Sequence, residues 1–215
     1  MKIKKFTFNP WQENSFAIYD ETGECALIDL GCISDDDHDE LSDFIESNNL
    51  TVKYIINTHL HIDHVLGNYY AKKTYDVPIL AHENDEFLLE NAPTYAEQIG
   101  FKLDSPPPKV DKYIDEGDLV EFGNCKLKII HVPGHTPGSV LLHCAEEKIL
   151  FSGDVLFYES IGRTDLIYGN HSALIKGITS KVLTLPDETK VYPGHGPDTT
   201  ITHEKCNNPF LKHMC

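Results

Sequence analysis

The chain has 215 residues and a formal net charge of −16, with 40% hydrophobic and 24% charged residues. This composition is typical of a globular protein that can bury a core, and the length favours one domain over 1–215. The acidic excess argues against broad contact with a phosphate backbone, so no nucleic-acid partner is expected. No stretch approaches the ~20 apolar residues of a membrane span, so no membrane association is expected either.

Cysteine usage and the first residues bear on the compartment. The six cysteines are scattered without a C-x-x-C pair, and the lysines near the N-terminus are not followed by the apolar run of a signal peptide. Free thiols are the expected state in such a chain. We therefore expect a cytoplasmic protein, and the sequence leaves its oligomeric state open.

The first half of the chain alternates short strands with helices. The predicted order is strands at 3–8, 15–19 and 24–30, a helix at 35–48, a strand at 52–57, a helix at 65–73, a strand at 77–80 and a helix at 82–91. The first three strands should form an antiparallel meander, because their links are too short for parallel crossovers. Asp29 ends the third strand, either as a turn residue or as a residue behind a metal ligand.

The middle and second half lead to a similar arrangement. Three successive prolines at 106–108 predict a long irregular segment at 92–109, which either flanks a functional site or serves as a linker. Further elements are strands at 119–121, 125–131, 139–144 and 148–151, a helix at 170–183, a strand at 190–192 and a helix at 202–207. Two similar halves, each a sheet with helices outside it, are the expected architecture.

A dense group of metal-binding side chains stands between the strand at 52–57 and the helix that follows. The sequence HLHIDH places His59, His61, Asp63 and His64 on this strand-to-helix turn. A turn can aim several side chains at one point, whereas a straight strand sends alternate side chains to opposite faces. Imidazoles beside a carboxylate suit a divalent cation, so the turn is interpreted as a metal-binding site and not as a solvated loop.

Three later stretches each carry one polar residue in a loop rich in glycine or at a strand end. His135 lies in PGHTPG, Asp154 follows an apolar strand in SGD, and His195 lies in PGHG. Each signal is weak alone, but together with the histidine turn they supply five imidazoles and two carboxylates. Seven ligands are too many for one tetrahedral zinc and suit two adjacent divalent ions that share a carboxylate and a water. Zinc is the expected metal, with iron or manganese as alternatives.

These signatures, in this order, resemble the metallo-β-lactamase superfamily, and within it the short glyoxalase II-like (hydroxyacylglutathione hydrolase-like) enzymes. The resemblance runs from about Phe16 to the C-terminus. It is supported further by FSGDVLF at 151–157, SIGRTD at 160–165 and NPFL at 208–211. It implies an α/β (α+β) protein with the four-layer αββα sandwich of the metallo-β-lactamase fold, and metals at one edge between the two sheets.

The resemblance also implies roles for individual residues. His59, His61 and His135 would hold the first metal; Asp63, His64 and His195 would hold the second; and Asp154 would bridge them. Asp63 would also orient a metal-bridging hydroxide and take up its proton. Arg163 stands where related enzymes place a basic residue against an acidic part of the thiol substrate, although a surface salt bridge explains it equally well.

The sequence therefore predicts a metal-dependent hydrolase of small acyl thioesters, such as a hydroxyacyl-glutathione or an analogous thiol ester. One alternative is a single-iron persulfide dioxygenase, which GRTD at 162–165 also resembles and which would need only His59, His135 and Asp154. Another is a metal-stabilised binding module. Closed structural sites commonly rely on cysteine, and the ligand loops contain none.

Overall fold

Two mixed β-sheets lie face to face in the computed structural model, which describes residues 1–103 and 105–211. The first sheet has the order β1-β2-β3-β4-β5-β6. Its strands are β1 (Lys2–Phe8), β2 (Glu13–Tyr19), β3 (Glu24–Ile28), β4 (Thr51–Ile56), β5 (Ile79–Ala81) and β6 (Lys112–Tyr113). The meander β1-β2-β3 is antiparallel as predicted, and β4 joins β3 in parallel after a helical crossover.

The second sheet has the order β14-β13-β10-β9-β8-β7, and β11 and β12 form a separate short ribbon. The strands are β7 (Leu119–Phe122), β8 (Cys125–His131), β9 (Val140–Cys144), β10 (Ile149–Gly153), β11 (Leu156–Phe157), β12 (Ser160–Ile161), β13 (Lys190–Pro193) and β14 (Thr199–Thr200). β8 and β10 are each antiparallel to β9, and β13 is parallel to β10. The loops after β8, β10 and β13 therefore leave the sheet at the same edge.

Most of the helices pack on the outer faces of the two sheets, whereas the third packs against the histidine turn. The helices are α1 (Asp35–Ser47), α2 (Asn68–Tyr75), α3 (Glu86–Gln98), α4 (His171–Gly177) and α5 (Ile201–Asn207), and a π-helical turn at Ile178–Val182 continues α4. The N-terminus of α1 is closed by a capping box between Ser34 and Asp37. No helix among the described residues is long and apolar enough to cross a membrane.

Apolar clusters show how these layers pack. Phe16 on β2 lies 5.1 Å from Phe151 on β10 between ring centroids, within a cluster shared by the two sheets. Leu41 of α1 packs on the outer face of the first sheet, and Leu174 of α4 packs on the outer face of the second. Each such side chain contributes roughly 1.5–3 kcal/mol by its burial. The α/β four-layer αββα arrangement predicted from the sequence is confirmed.

The prediction of an irregular segment at 92–109 is wrong for its first part, because α3 continues to Gln98. Leu89, Ala92 and Ala96 are buried at helical spacing on one face of α3, and this apolar stripe outweighs the internal Pro93. From 99 to 109 the described residues form neither helix nor strand, as expected. The short strands β6, β11, β12 and β14 were not predicted, since two residues carry no readable alternation.

Candidate metal centre

The histidine turn after β4 is held in place by two side-chain amides. Residues 62–64 form a short 3-10 helix, so α2 begins at Asn68 and not at 65 as predicted. The side-chain amide of Asn57 donates to the carbonyl of His64 at 2.9 Å, and that of Asn9 donates to the carbonyl of Asp63 at 3.0 Å. Backbone groups of the turn are thus satisfied, and its side chains are free to converge.

The other three predicted ligands come from the second sheet. His135 follows β8, Asp154 follows β10, and His195 follows β13. Gly194 stands beside His195 where a Cβ atom would lie 2.4 Å from the Asp154 carboxylate, so a side chain there would collide with the site. The loops after three strands of one sheet therefore meet the histidine turn of the other.

His59, His61 and His135 form the first group. Nδ1 of His61 lies 3.0 Å from Nε2 of His59 and 3.0 Å from Nε2 of His135. The Nδ1–H of His135 donates to the carbonyl of Arg163 at 2.9 Å, which leaves its Nε2 as an acceptor. The Thr58 hydroxyl donates to Asp29 and accepts from Nδ1 of His59, so Nε2 of His59 is also an acceptor.

Three converging ring nitrogens therefore share at most one proton, the one that His61 can carry on Nδ1. Burial, followed by the neighbouring imidazoles, lowers the pKa of His59 well below its usual value and that of His61 to about 3. These rings are consequently neutral at pH 7, which is the state that binds a metal. A cation fits between their lone pairs.

Asp63, His64 and His195 form the second group. Nε2 of His195 lies 3.2 Å from Oδ2 of Asp63, and Nε2 of His64 lies 3.7 Å from the same oxygen. The Nδ1–H of His195 donates to the carbonyl of Trp11 at 3.0 Å, so Nε2 of the neutral ring presents a lone pair to a carboxylate. Two such groups repel each other unless a proton or a metal ion lies between them.

The charges of this second group follow from the same contacts. Burial opposes ionisation of Asp63, but the rings of His64 and His195 outweigh it and lower the pKa of its carboxyl. Burial also disfavours a charged His64, yet Asp63 and Asp154 raise the pKa of that ring well above its usual value. Burial likewise disfavours a charged His195, yet Asp63 and Asp154 raise its pKa. A proton on either ring would offset the carboxylate charge as a cation would.

Asp154 stands between the two groups. One carboxylate oxygen, Oδ2, lies 3.5 Å from Nε2 of His135 and 3.7 Å from Nε2 of His195, while Oδ1 lies 3.4 Å from Nε2 of His64. Asp154 Oδ1 and His64 Nε2 are both buried without a hydrogen-bond partner. Buried nitrogen and oxygen atoms without a hydrogen-bond partner are suited to bind a metal ion, and their positions fit two adjacent cations that share Asp154 as a ligand.

Two buried acids stand behind His64. Asp29 Oδ2 lies 3.2 Å from His64 Nδ1, and its carboxylate also accepts from the Thr58 amide and hydroxyl. Asp29 is therefore more than a turn residue, as one of the two sequence interpretations proposed. Glu13 was not predicted: its Oε1 lies 3.9 Å from His64 Nδ1, and burial raises the pKa of Glu13 well above its usual value. Glu13 precedes two further polar residues of β2, Asn14 and Ser15, so no pattern in the sequence singles it out.

Arg163 borders the site through two different groups. Its carbonyl accepts from His135, whereas its exposed guanidinium makes a two-point ion pair with Asp165, at 2.7 and 2.9 Å. Arg163 also lines a cavity of about 670 Å³ that opens onto His61, Asp63, His135, Asp154 and His195. Both sequence interpretations of Arg163 are thus compatible with its position, and a contact with substrate stays a prediction.

Tyr168 is a further site residue that sequence reasoning missed. Its hydroxyl lies 2.7 Å from Nε2 of His61, and its side chain lines the same cavity. Burial raises the pKa of Tyr168 to about 12, so the phenol stays protonated. It lies in a loop without alternation or a recognisable motif, and no pattern in the sequence singles it out.

A second histidine group, His82, Asp115 and His131, does not offer a comparable metal site. The Asn84 amide donates to Nδ1 of His82 at 3.1 Å, so the ring proton of neutral His82 sits on Nε2. That nitrogen lies 3.2 Å from Asp115 and donates to it. His82 therefore has no lone pair left for a cation.

Comparisons with known proteins agree with this fold and site. The family described as the metallo-beta-lactamase superfamily matches residues 8–195. The hydroxyacylglutathione hydrolase GloC of Haemophilus influenzae is 35% identical, with 98% of each chain covered. The BLEG-1 B3 metallo-beta-lactamase superposes with a TM-score of 0.89 at 33% identity, covering 98% of this chain and 100% of that one.

Two further solved structures are similar. TTHA1623 in a di-iron-bound form has a TM-score of 0.86 at 35% identity, covering 97% of this chain and all of that one. ETHE1 from Myxococcus xanthus has a TM-score of 0.80 at 26% identity, covering 97% and 84% of the two chains. A sandwich of two sheets with a histidine–aspartate cluster at its edge is typical of metal-dependent hydrolases. The chain belongs to the metallo-β-lactamase superfamily.

Proposed function

We propose that the protein is a metal-dependent hydrolase of small acyl thioesters, with two divalent cations at the candidate metal centre. The observation that carries this proposal is the meeting of all seven predicted ligands in two adjoining groups, with Asp154 in contact with both. The similarity to a hydroxyacylglutathione hydrolase over nearly the whole chain favours a thioester over other esters or amides.

The residues would divide the work as follows. His59, His61 and His135 would hold one ion, Asp63, His64 and His195 the other, and Asp154 would lie between them; the expected metal is zinc, with iron or manganese as alternatives. When bound, such ions polarise a carbonyl and lower the pKa of a water molecule towards neutrality. 

Asp63 has the position of a proton acceptor. Its carboxylate reaches the cavity, and the surrounding imidazoles keep its pKa low, so it is ionised at pH 7. It would orient the attacking water and accept its proton at a carboxylate oxygen. The Arg163 guanidinium at the cavity wall would contact the thiol part of the substrate.

The test is thiol release from S-lactoylglutathione and from small synthetic thioesters, with the metal content of the same sample measured by mass spectrometry. We expect about two metal ions per chain and turnover that is lost in His61→Ala and Asp63→Ala. His203→Ala is the matched control, because His203 lies on α5 and is not among the seven ligands. Normal turnover in the His61 and Asp63 variants would contradict the proposal.

A single-iron persulfide dioxygenase is the second candidate, and the similarity to ETHE1 at 26% identity favours keeping it. It would use His59, His135 and Asp154 and would leave the second group without a role in catalysis. One iron per chain, with oxygen uptake on a persulfide and no thioester turnover, would support it.

A cytoplasmic location is proposed on the four free, buried thiols of Cys25, Cys32, Cys125 and Cys144.

A further inference from the structure

The cavity in front of the candidate metal centre has one wall of aromatic and aliphatic side chains. Phe87 on α3 meets Tyr168 edge to face, with ring centroids 5.3 Å apart and planes at 70°. Leu88 and Leu166 continue the same wall. Tyr168 in turn contacts His61, so this apolar surface begins next to the first group of ligands.

Trp11 adds a second apolar surface to the lining of the same cavity. Trp11 packs against Phe101 with ring centroids 5.4 Å apart, and the carbonyl of Trp11 accepts from His195 of the second group. Trp11 is 39% exposed, and Ile167 at the rim is 101% exposed. Exposed apolar side chains that gather around a cavity mark a surface that a ligand covers.

Charge in the cavity is poorly matched to a substrate with several carboxylates. Arg163 is the one lysine or arginine among the described lining residues. Its guanidinium already donates two hydrogen bonds to the Asp165 carboxylate. Glutathione carries two carboxylates at neutral pH, and the whole chain carries −16. Under the proposed function the metal ions engage the thioester itself, so one paired arginine is the cationic side chain that the described lining offers to these two carboxylates.

We propose that the substrate of this site is a thioester with an apolar group of several carbons, which packs against the Phe87–Tyr168 wall and Trp11. The inference rests on the proposed function and narrows its substrate class. Burial of the apolar group orients the thioester toward the ligand cluster, and the polar end faces solvent. The apolar group belongs to the acyl part or to the thiol part, and two substrate series distinguish these cases.

The fluorescence of Trp11 can measure binding without turnover, because Trp11 is the single tryptophan of the chain and lies in the cavity wall. The probes are non-hydrolysable S-methyl, S-propyl and S-hexyl thioethers of N-acetylcysteamine and of glutathione. Each methylene that enters the cavity should lower Kd about fourfold. The glutathione conjugates should bind no more tightly than the matched N-acetylcysteamine ones.

A matched pair of leucine variants locates the effect. Leu88→Ala removes part of the wall and should weaken binding of the S-hexyl probe about fivefold or more while changing S-methyl binding little. Leu119→Ala, at an exposed leucine of β7, should leave the whole series unchanged. A Kd that does not change with chain length, or glutathione conjugates that bind tenfold more tightly than their partners, would overturn the proposal.

Kinetics separate this proposal from the proposed function. Acyl chains of increasing length on N-acetylcysteamine, and acetyl esters of alkanethiols of increasing length, should raise kcat/KM in one of the two series. If thioesters are hydrolysed without any dependence on chain length, the hydrolase assignment stands and the apolar-substrate proposal fails. If binding depends on chain length but no thioester is hydrolysed, the apolar site stands and the hydrolase assignment fails.

Discussion

Replacing Asp29 with alanine should cost the metal-free protein about 4 kcal/mol of its unfolding free energy. The carboxylate accepts from the Thr58 amide at 2.8 Å and from the Thr58 hydroxyl at 2.6 Å, and Thr58 is buried. Two hydrogen bonds to a charged acceptor are worth at least about 1.5 kcal/mol each. Asp29 also has a left-handed backbone (φ +46°), where alanine adds about 1 kcal/mol of strain.

Two further variants separate these contributions. Asp76→Ala is the control for strain, because Asp76 has the same left-handed backbone (φ +51°) at the exposed C-terminus of α2 and should lose about 1 kcal/mol. Asp29→Asn tolerates the backbone angle and keeps one acceptor, so its loss should lie between the other two. Urea unfolding after chelation measures all three proteins.

The same variants should differ in metal affinity. Asp29 lies 3.2 Å from Nδ1 of His64, and partners behind a metal-binding histidine typically change affinity by about 10–100-fold. Zinc titration against a coloured chelator should therefore show weaker binding in Asp29→Ala and unchanged binding in Asp76→Ala. The reasoning would be refuted if the unfolding free energy of Asp29→Ala lay within about 1 kcal/mol of the wild-type value and its zinc affinity were unchanged.

Three further results are expected. Chelation should lower Tm and zinc should restore it, because zinc at a free concentration of 100 times Kd adds about 2.7 kcal/mol to the free energy of unfolding; calorimetry with an unchanged Tm would contradict a bound ion. Tyr168→Phe removes the 2.7 Å contact with His61 and should weaken zinc binding about tenfold, whereas a change below twofold would assign Tyr168 to the cavity alone. Burial lowers the pKa of His143 in the folded protein. When the pH is below the usual histidine pKa, the unfolded chain therefore binds a proton that the folded chain does not, and stability falls with falling pH. His143→Gln should reduce that slope by up to about 1.4 kcal/mol per pH unit in urea unfolding between pH 5 and 7, and an unchanged slope would show that His143 does not contribute.

The sequence was informative where side-chain chemistry and strand ends coincide. His59 to His64 stand directly after a buried strand, and Asp154 and His195 follow two strands that proved to be parallel neighbours. Each of the later residues is a weak signal alone, but the combined set of five imidazoles and two carboxylates, in the order that resembles the superfamily, was enough to predict that they meet. The apolar stripes of the helices predicted the outer layers in the same way.

Other features depend on contacts that no local pattern records. Tyr168 reaches His61 across 107 positions of the chain, and Trp11 reaches His195 across 184. Asp29 approaches His64 because the parallel pairing of β3 with β4 brings the ends of these strands together. Glu13 approaches it because the antiparallel pairing of β2 with β3 places the start of β2 beside the end of β3. The helix through Pro93 was missed because burial against the rest of the molecule, and not intrinsic propensity, determines it.

Each of the two ligand groups draws on both sheets. His59 and His61 come from the first sheet and His135 from the second, just as Asp63 and His64 meet His195. An ion bound at either position would therefore link the two sheets, and its affinity would depend on how the two sheets pack against each other. A change at a distant interface contact such as Phe16 with Phe151 should then loosen ion binding without touching a ligand, so that ion occupancy reports the docking of the two halves.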